Sequence, residues 1–293
     1  MQNDQPTQNF VDNSRWKWIF IYNAVVNNEQ TWFKMKDKPY YWVSSVQKCF
    51  RAVEVLSEHK GIGVSKLAAS VGMDRSAVFR FLSTLKDLGY VTEENAQYRL
   101  SYKIFEFGMR WANSIEIKKH AAPYMFELSK LYNETVNLGM LVNNTVIYIE
   151  KIEASANLRT DLVVGYRFAL YCTALGKAIL ANLPEDMRSR LIEEMEIAPL
   201  CPNTITDKEK LLEHLEEIKQ IGYAIDLQEF DPHIVCVAAP VFTYSDYPIH
   251  AISLAGPVSR MPSERTIQIG QDLVKICNRL SMQLGGGHHF PKK

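Results

Sequence analysis

The sequence predicts an α+β protein in two parts. The first is a small helical module closed by a β-hairpin, and the second is a larger domain with an antiparallel sheet flanked by helices. Three observations carry this reading. Two short amphipathic segments meet at Gly72 within residues 64–90. Residues 91–100, VTEENAQYRL, read as two short strands around the polar turn 93–97. Residues 135–142 and 145–152 are β-rich runs separated by Asn143-Asn144, with further strands and helices interleaved downstream.

The first element is a helix over residues 45–58, where Val46, Phe50, Val53 and Leu56 recur at helical spacing and are expected to cover the two segments that follow. In the first of those segments Leu67, Ala68 and Val71 make the apolar face, and Ala68 is small enough to let a crossing helix approach. In the second, Val78, Phe81, Leu82, Leu85 and Leu88 form one stripe. At about 100° per residue, Ser76, Phe79, Arg80 and Ser83 fall on the opposite side. Two helices joined at a glycine, the second with a polar outer face, have the spacing of a helix-turn-helix, whose second helix enters the DNA major groove. The hairpin that follows makes it a winged helix. Two such helices also occur in small bundles, so a protein-interaction module with a degenerate helix-turn-helix stays open beside the DNA reader.

Residues 101–115 form a connecting helix with Tyr102, Phe105, Met109 and Trp111 or Ala112 on roughly one face, and residues 120–132 continue helically. Strands are expected at 135–142 and 145–152, an extended stretch at 158–170, and a helix at 173–182. A longer amphipathic helix spans 207–221 and a strand begins at 222–226. A last strand pair covers 235–243 and 249–254, and a closing helix covers 264–280. The resulting segments are an N-terminal extension over 1–43, a winged helix-turn-helix over 44–100, a linker helix over 101–117, a ligand-holding domain over 118–286 and a tail over 287–293.

Charge separates the parts. The whole chain is neutral, with 33 basic and 33 acidic residues. Across residues 44–103, nine Lys and Arg outnumber six Asp and Glu. So small a surplus gives one module a weak, salt-sensitive phosphate patch, and two half-sites read by a symmetric dimer would compensate. Five cysteines without CxxC-type spacing argue against a disulfide framework or a zinc site and fit a reducing cytoplasm. The longest apolar stretch, residues 16–26, is interrupted by Lys17 and Asn23 and is too short for a membrane span. Met35 lies about ten residues before the first helix, so residues 1–34 read as an upstream extension, or as an arm that packs on a partner or on DNA. His288-His289 lack the further ligands of a metal site. No metal and no cofactor is expected. A cysteine-dependent enzyme would need Cys236 with His233 or His250, but the apolar neighbours of Cys236 favour its unreactive thiol form, and no enzyme is expected.

Several strings resemble the IclR family of bacterial transcriptional regulators: SSVQKCFRAVEVL, DRSAVFRFLSTLKDLGYV and the wing on one side, and ETVNLGMLVNNTVIYIEKI, YCTALGKAILA, GYAIDLQE, CVAAPVF and AISLAGPVSRM on the other. VSSVQKCF, KIFEFGMR and the tail GGGHHFP are similar to family members that govern uronate and pectin catabolism in response to 2-keto-3-deoxygluconate. The resemblance implies a winged-helix reader, a linker helix and a GAF-like effector domain, assembled as a homodimer or homotetramer on double-stranded operator DNA.

For the recognition surface the reading selects Lys66, Arg75, Ser76, Phe79, Arg80 and Ser83, with Lys66 and Arg80 on phosphates and the serines on base edges or phosphates. The effector site implied by the resemblance comprises Thr173, Ala174, Leu175 and Gly176 with Asp226, Cys236, Ser253 and Ala255. The chemistry suits a small carboxylate. Backbone N–H groups at a helix start receive an anion, Asp226 accepts from a hydroxyl, and Cys236 and Ser253 are small neutral partners. Against this, Gly176 also reads as a close-packing residue, Cys236 as a core thiol and Asp226 as a turn acid. Ala255 departs from members with serine there, which favours a larger or differently oxygenated acid. The function implied is a ligand-responsive regulator, a repressor of a catabolic operon.

Overall fold

The computed structural model describes residues 40–155, 163–245 and 247–286. The extension up to residue 39, the start of the extended stretch at 158–162 and His288-His289 lie outside them. The chain divides into two compact units after Ile115.

In the first unit α1 (Ser44–Ser57), α2 (Val64–Val71) and α3 (Arg75–Asp87) are followed by β1 (Val91–Glu94), β2 (Gln97–Leu100) and α4 (Tyr102–Ser114). Gly72 ends α2 in the left-handed conformation, φ 61°, which a residue without Cβ adopts at no steric cost. Asp74 then caps α3, its carboxylate accepting from the N–H groups of Ser76 and Ala77. The wing turns through Asn95 and Ala96, both at positive φ, as a tight two-residue hairpin requires. Ile62 exchanges both backbone hydrogen bonds with Tyr98, tying the α1–α2 loop to the wing.

The core of this unit is Ala52, Val55, Leu56, Ile62, Leu67, Ala68, Val78, Leu82, Val91 and Tyr98. The expected stripe on α1 is therefore only partly correct. Leu56 is buried, but Val46 and Phe50 are exposed, and Ala52 and Val55 take the inner positions. All three buried residues lie in the C-terminal half of α1, where α2 and β2 meet it. The N-terminal half extends past that contact. Leu88, beyond the end of α3, is likewise exposed. α4 buries none of its residues, although Tyr102, Phe105, Phe107, Met109 and Trp111 are all on it.

The second unit runs α5 (Glu116–Tyr132), β3 (Thr135–Val142), β4 (Thr145–Ile152), β5 (Arg167–Ala169), α6 (Ala174–Leu180), α7 (Glu185–Glu194), α8 (Lys208–Ile221), β6 (Ala224–Leu227), β7 (Ile234–Val241), β8 (His250–Pro257) and α9 (Ser263–Gln283). Six strands form one antiparallel sheet in the order β5-β4-β3-β8-β7-β6. Of the extended stretch expected at 158–170, the described part from 163 on is strand only over the three residues of β5. α7 was not expected, because EDMRSRLIEE has little apolar periodicity.

Alternation along the strands sends side chains to opposite faces, and residues directly opposite in a ladder share a face. Val136, Leu138, Val237, Ala239, Ile252 and Leu254 therefore lie on one face. α9 packs on β7 and β8, α5 packs on β3, and the Cys277 thiol donates to the Ala239 carbonyl at 3.7 Å. Cys236, Ala238, Ala251 and Ala255 lie on the other face, in one apolar core with α6. These small residues leave room for α6 to come close. The start of β3 is anchored by Glu134, which takes two hydrogen bonds from Arg260 and an ion pair from Arg265.

Candidate functional site

The outer side of α3 is built by its own cap. Asp74 holds the first turn and also accepts from the Ser76 hydroxyl, and these bonds hold its carboxyl below the usual carboxylate range. Ser76 is thus partly committed to the helix start, although it remains exposed. Arg75, Phe79 and Arg80 are exposed beside it, with Phe79 at 52%. Ser83, two turns on, is only half-exposed. Val78 and Leu82, on the inner side, are fully buried.

Lys66 joins this surface from α2. Together with Arg75 and Phe79, and with Gln97 and Tyr98 of the wing, it lines an open groove of about 580 Å³. The cations near α3 and the wing differ in whether they have a partner. Lys86 is held by Glu93 at 2.7 Å, Arg99 by Glu94, and Lys103 by the Leu88 carbonyl at 2.7 Å. Lys66, Arg75 and Arg80 make no ion pair among the described residues. Two of these cations, on α3 with its anchored back, and a third from α2 can receive phosphates without first breaking an internal ion pair.

The second cluster lies on the α6 face of the large sheet. Asp226 is opposite Cys236, Cys236 is opposite Ala255, and Ala255 is opposite Thr135, so one row crosses β6, β7, β8 and β3. The next row holds Ala224, Ala238, Ser253 and Asn137. Asp226, Cys236, Ser253 and Ala255, separated by up to 29 positions in the chain, thus share one face. Asp226 is buried, and its Oδ1 accepts from the Glu229 N–H at 2.8 Å and the Phe230 N–H at 3.4 Å. Burial first, and the neighbouring Glu229 carboxylate second, raise its pKa to about 7. Near neutral pH this carboxyl can donate a hydrogen bond as well as accept one. Burial, with Asp226 next, pushes the Cys236 thiol well up.

At the start of α6 one of the N–H groups expected to be free is already used. Thr173 caps the helix, and its Oγ1 accepts the Gly176 N–H at 3.2 Å while donating to the Ala169 carbonyl at 2.7 Å. The Gly176 N–H is therefore already bonded within the protein. A Cβ on Gly176 would lie 2.3 Å from the Leu170 carbonyl oxygen, so the close-packing role of this glycine holds. Ala174 and Leu175 are buried beside it.

Sequence reasoning missed several polar residues of this region. Lys177, in α6, is fully buried, donating to the Ile225 carbonyl at 2.7 Å and to the Glu229 carboxylate. Tyr148 is buried, its hydroxyl pushed well up by burial and then by Cys236 and Asp226. Thr135 and Asn137 are both buried. The Thr-Val-Asn-Leu alternation of β3 carried a signal for the last two, since polar residues at every second position of a buried strand share a face. No local pattern links Lys177 to Glu229, which come together only through the packing of α6 on β6.

The cysteine-dependent alternative loses its His250 form. His250 is opposite Val241 and so faces the α9 side, away from Cys236, and it lies five residues along β8 from Ala255, the partner of Cys236. All five cysteines are free.

Residues 45–95 match the model of the IclR helix-turn-helix domain, and residues 109–282 match that of the bacterial transcriptional regulator IclR C-terminal domain. The chain belongs to the IclR family. Among curated relatives, this IclR-family chain is 36% identical to the HTH-type transcriptional regulator KdgR of Escherichia coli over 251 residues, 85% of this chain and 95% of that protein. It is 34% identical to KdgR of Dickeya chrysanthemi, covering 85% and 82%. Among solved structures, the Thermotoga maritima IclR superposes with a TM-score of 0.69 at 29% identity, covering 83% of this chain and 99% of that one. The family sets the function: an IclR-type DNA-binding transcriptional regulator, ligand-responsive and acting on catabolic genes. Its relatives are regulators rather than enzymes. No helix among the described residues is long and apolar enough to cross a membrane.

Proposed function

We propose that this IclR-family chain is a cytoplasmic repressor that releases its operator when a sugar-derived keto acid binds the α6 face of the large sheet. The observation that carries the DNA half is the set of cations without an ion pair among the described residues, Lys66 and Arg75 in the α3–wing groove and Arg80 exposed on α3 beside Phe79. Arg80 and Lys66 grip phosphates, while Arg75, Ser76, Phe79 and Ser83 approach the base edges. The effector half rests on the row of Asp226, Cys236 and Ala255 with Ser253 beside it. A carboxyl that keeps its proton to about pH 7 can accept an acid ligand as a hydrogen-bond neighbour rather than repel it. Thr173, Ala174, Leu175 and Gly176 form the wall of the site rather than its anion cradle. The kinship with KdgR supports 2-keto-3-deoxygluconate, or an acid of its class, as the effector. An IclR homologue of Microbacterium hydrocarbonoxydans has been solved with another hydroxylated acid, 4-hydroxybenzoate.

The operator-binding species is a homodimer or a dimer of dimers. α4 buries no residue and exposes Tyr102, Phe105 and Met109 along one side and Phe107 and Trp111 along the other, apolar surface that a second copy would cover. Ligand binding then shifts the subunit arrangement and with it the half-site spacing. A mobility-shift titration on a palindromic operator, repeated with 2-keto-3-deoxygluconate, tests this directly. Salt-sensitive binding that the acid weakens is expected. Binding absent even at low salt, or unaffected by any keto or uronic acid, overturns the proposal.

A further inference from the structure

Two buried polar atoms on the α6 face, Thr135 Oγ1 and Asn137 Oδ1, have no hydrogen-bond partner among the described residues. Both residues are fully buried. Asn137 gives its Nδ2 to the Ser253 hydroxyl at 3.4 Å, which leaves its carbonyl oxygen as a bare acceptor. Thr135 is directly opposite Ala255. The hydroxyl absent at position 255 is thus present one strand away, on the same face and in the same row as Cys236 and Asp226.

We infer that Thr135 and Asn137 are specificity-determining contacts for the effector, selecting an acid that carries hydroxyl groups beyond its keto carbon. This rests on the reading of the α6 face as the effector site. The chemistry is set by the kind of atom left unpaired. An amide oxygen only accepts, so its partner must bring a donor. A carboxylate brings none, and neither does a ketone. Pyruvate and other bare keto acid anions leave Asn137 Oδ1 as they find it, whereas an aliphatic hydroxyl satisfies it. Thr135 Oγ1 both donates and accepts, so it can bridge to a second hydroxyl on the same tail. A site with a buried acceptor waiting for a hydroxyl discriminates strongly against the analogue that lacks it.

Pyruvate and 2-keto-3-deoxygluconate share the 2-keto carboxylate and differ in the hydroxylated tail, so the pair isolates this effect. Both are titrated into the full chain by calorimetry. The wild type is expected to bind 2-keto-3-deoxygluconate at least roughly tenfold more tightly than pyruvate, the scale of one buried hydrogen bond. Thr135→Val, which keeps the shape and removes the hydroxyl, is expected to cut that ratio by roughly tenfold with pyruvate affinity unchanged. Should Thr135→Val not fold, Ala255→Ser is the second variant. It gives Thr135 Oγ1 a partner inside the protein, and the ratio should fall likewise. A wild-type ratio near one, or a ratio unmoved by the variant that folds, overturns the inference. Asp226→Ala separates the two levels of the argument. If it weakens both acids while Thr135→Val leaves the ratio intact, only the role of Thr135 and Asn137 falls. If neither variant changes either affinity, the effector site lies elsewhere and both readings fall.

Discussion

Arg260 holds Glu134 with two parallel hydrogen bonds, Nε to Oε1 at 2.8 Å and Nη2 to Oε2 at 2.6 Å, one residue before β3 begins. Glu134 is almost fully buried, and Arg265 adds a second cation at 3.4 Å while bonding the Tyr132 and Arg260 carbonyls. A buried carboxylate is tolerated only with such partners, and removing one side leaves the other uncompensated. The clamp fixes where β3 starts, and therefore which face Thr135 and Asn137 occupy.

Glu134→Ala should destabilise the second unit by about 3 kcal/mol, because two guanidinium groups lose their shared partner. Chemical denaturation monitored by circular dichroism measures it. A change below about 0.5 kcal/mol, ordinary for a surface substitution, would mean that the clamp is not what anchors β3.

Arg80→Ala should abolish operator binding at physiological salt while effector affinity stays at the wild-type value. Lys66→Ala should weaken binding more evenly across operator sequences and lower the salt dependence by about one unit of log-log slope, as loss of one phosphate contact does. Mobility shifts across a salt series distinguish the two. Full operator affinity in Arg80→Ala would count against the assigned face of α3.

His250 is buried with an unpartnered Nδ1, and burial lowers its pKa from 6.5 to about 4. The unfolded chain takes up a proton below pH 6.5 that the folded chain refuses until about pH 4. Between those values the unfolded state binds more protons, so stability falls as pH falls. The loss from this residue is on the order of 3 kcal/mol by pH 4. His250→Gln should flatten that part of the profile. An unchanged slope between pH 6.5 and 4 would exclude His250 as its source.

Asp226 works in the opposite sense. Its pKa is raised from 3.8 to about 7, so the folded state keeps a proton that the unfolded state has lost. The stability this gives is complete below pH 3.8 and gone above about pH 7. The same proton governs affinity. An acid effector should bind more tightly at pH 6 than at pH 8, where Asp226 is ionised and repels it, and Asp226→Asn should remove the difference. Calorimetry at both pH values decides, and equal wild-type affinities would place the ligand away from Asp226.

Trp111→Glu should shift the proposed dimer towards monomer and reduce operator affinity, because α4 exposes this ring at 59% and buries none of its own residues. Sedimentation velocity reads the change. An unaltered dimer would direct attention to the exposed N-terminal half of α1, where Val46 and Phe50 also lie uncovered.

Local sequence by itself determined the elements whose physics is local. Gly72 and the Asp74 cap mark the helix-turn-helix because a left-handed turn and a side-chain cap are decided within a few residues. The outward position of Ser76, Phe79 and Arg80 follows from the 3.6-residue period, and Asn143-Asn144 marked the hairpin between β3 and β4. The same local rules misplaced the inner face of α1, since what covers a helix depends on how far its neighbours reach. Only tertiary structure decided the make-up of the proposed effector face. Ladder register brings Asp226, Cys236, Ala255 and Thr135 into one row from four strands, burial raises the Asp226 pKa, and packing on Leu170 assigns Gly176. The row joins strands distant in the chain, and even the Gly176–Leu170 contact, close in sequence, is set by how the chain folds back before α6.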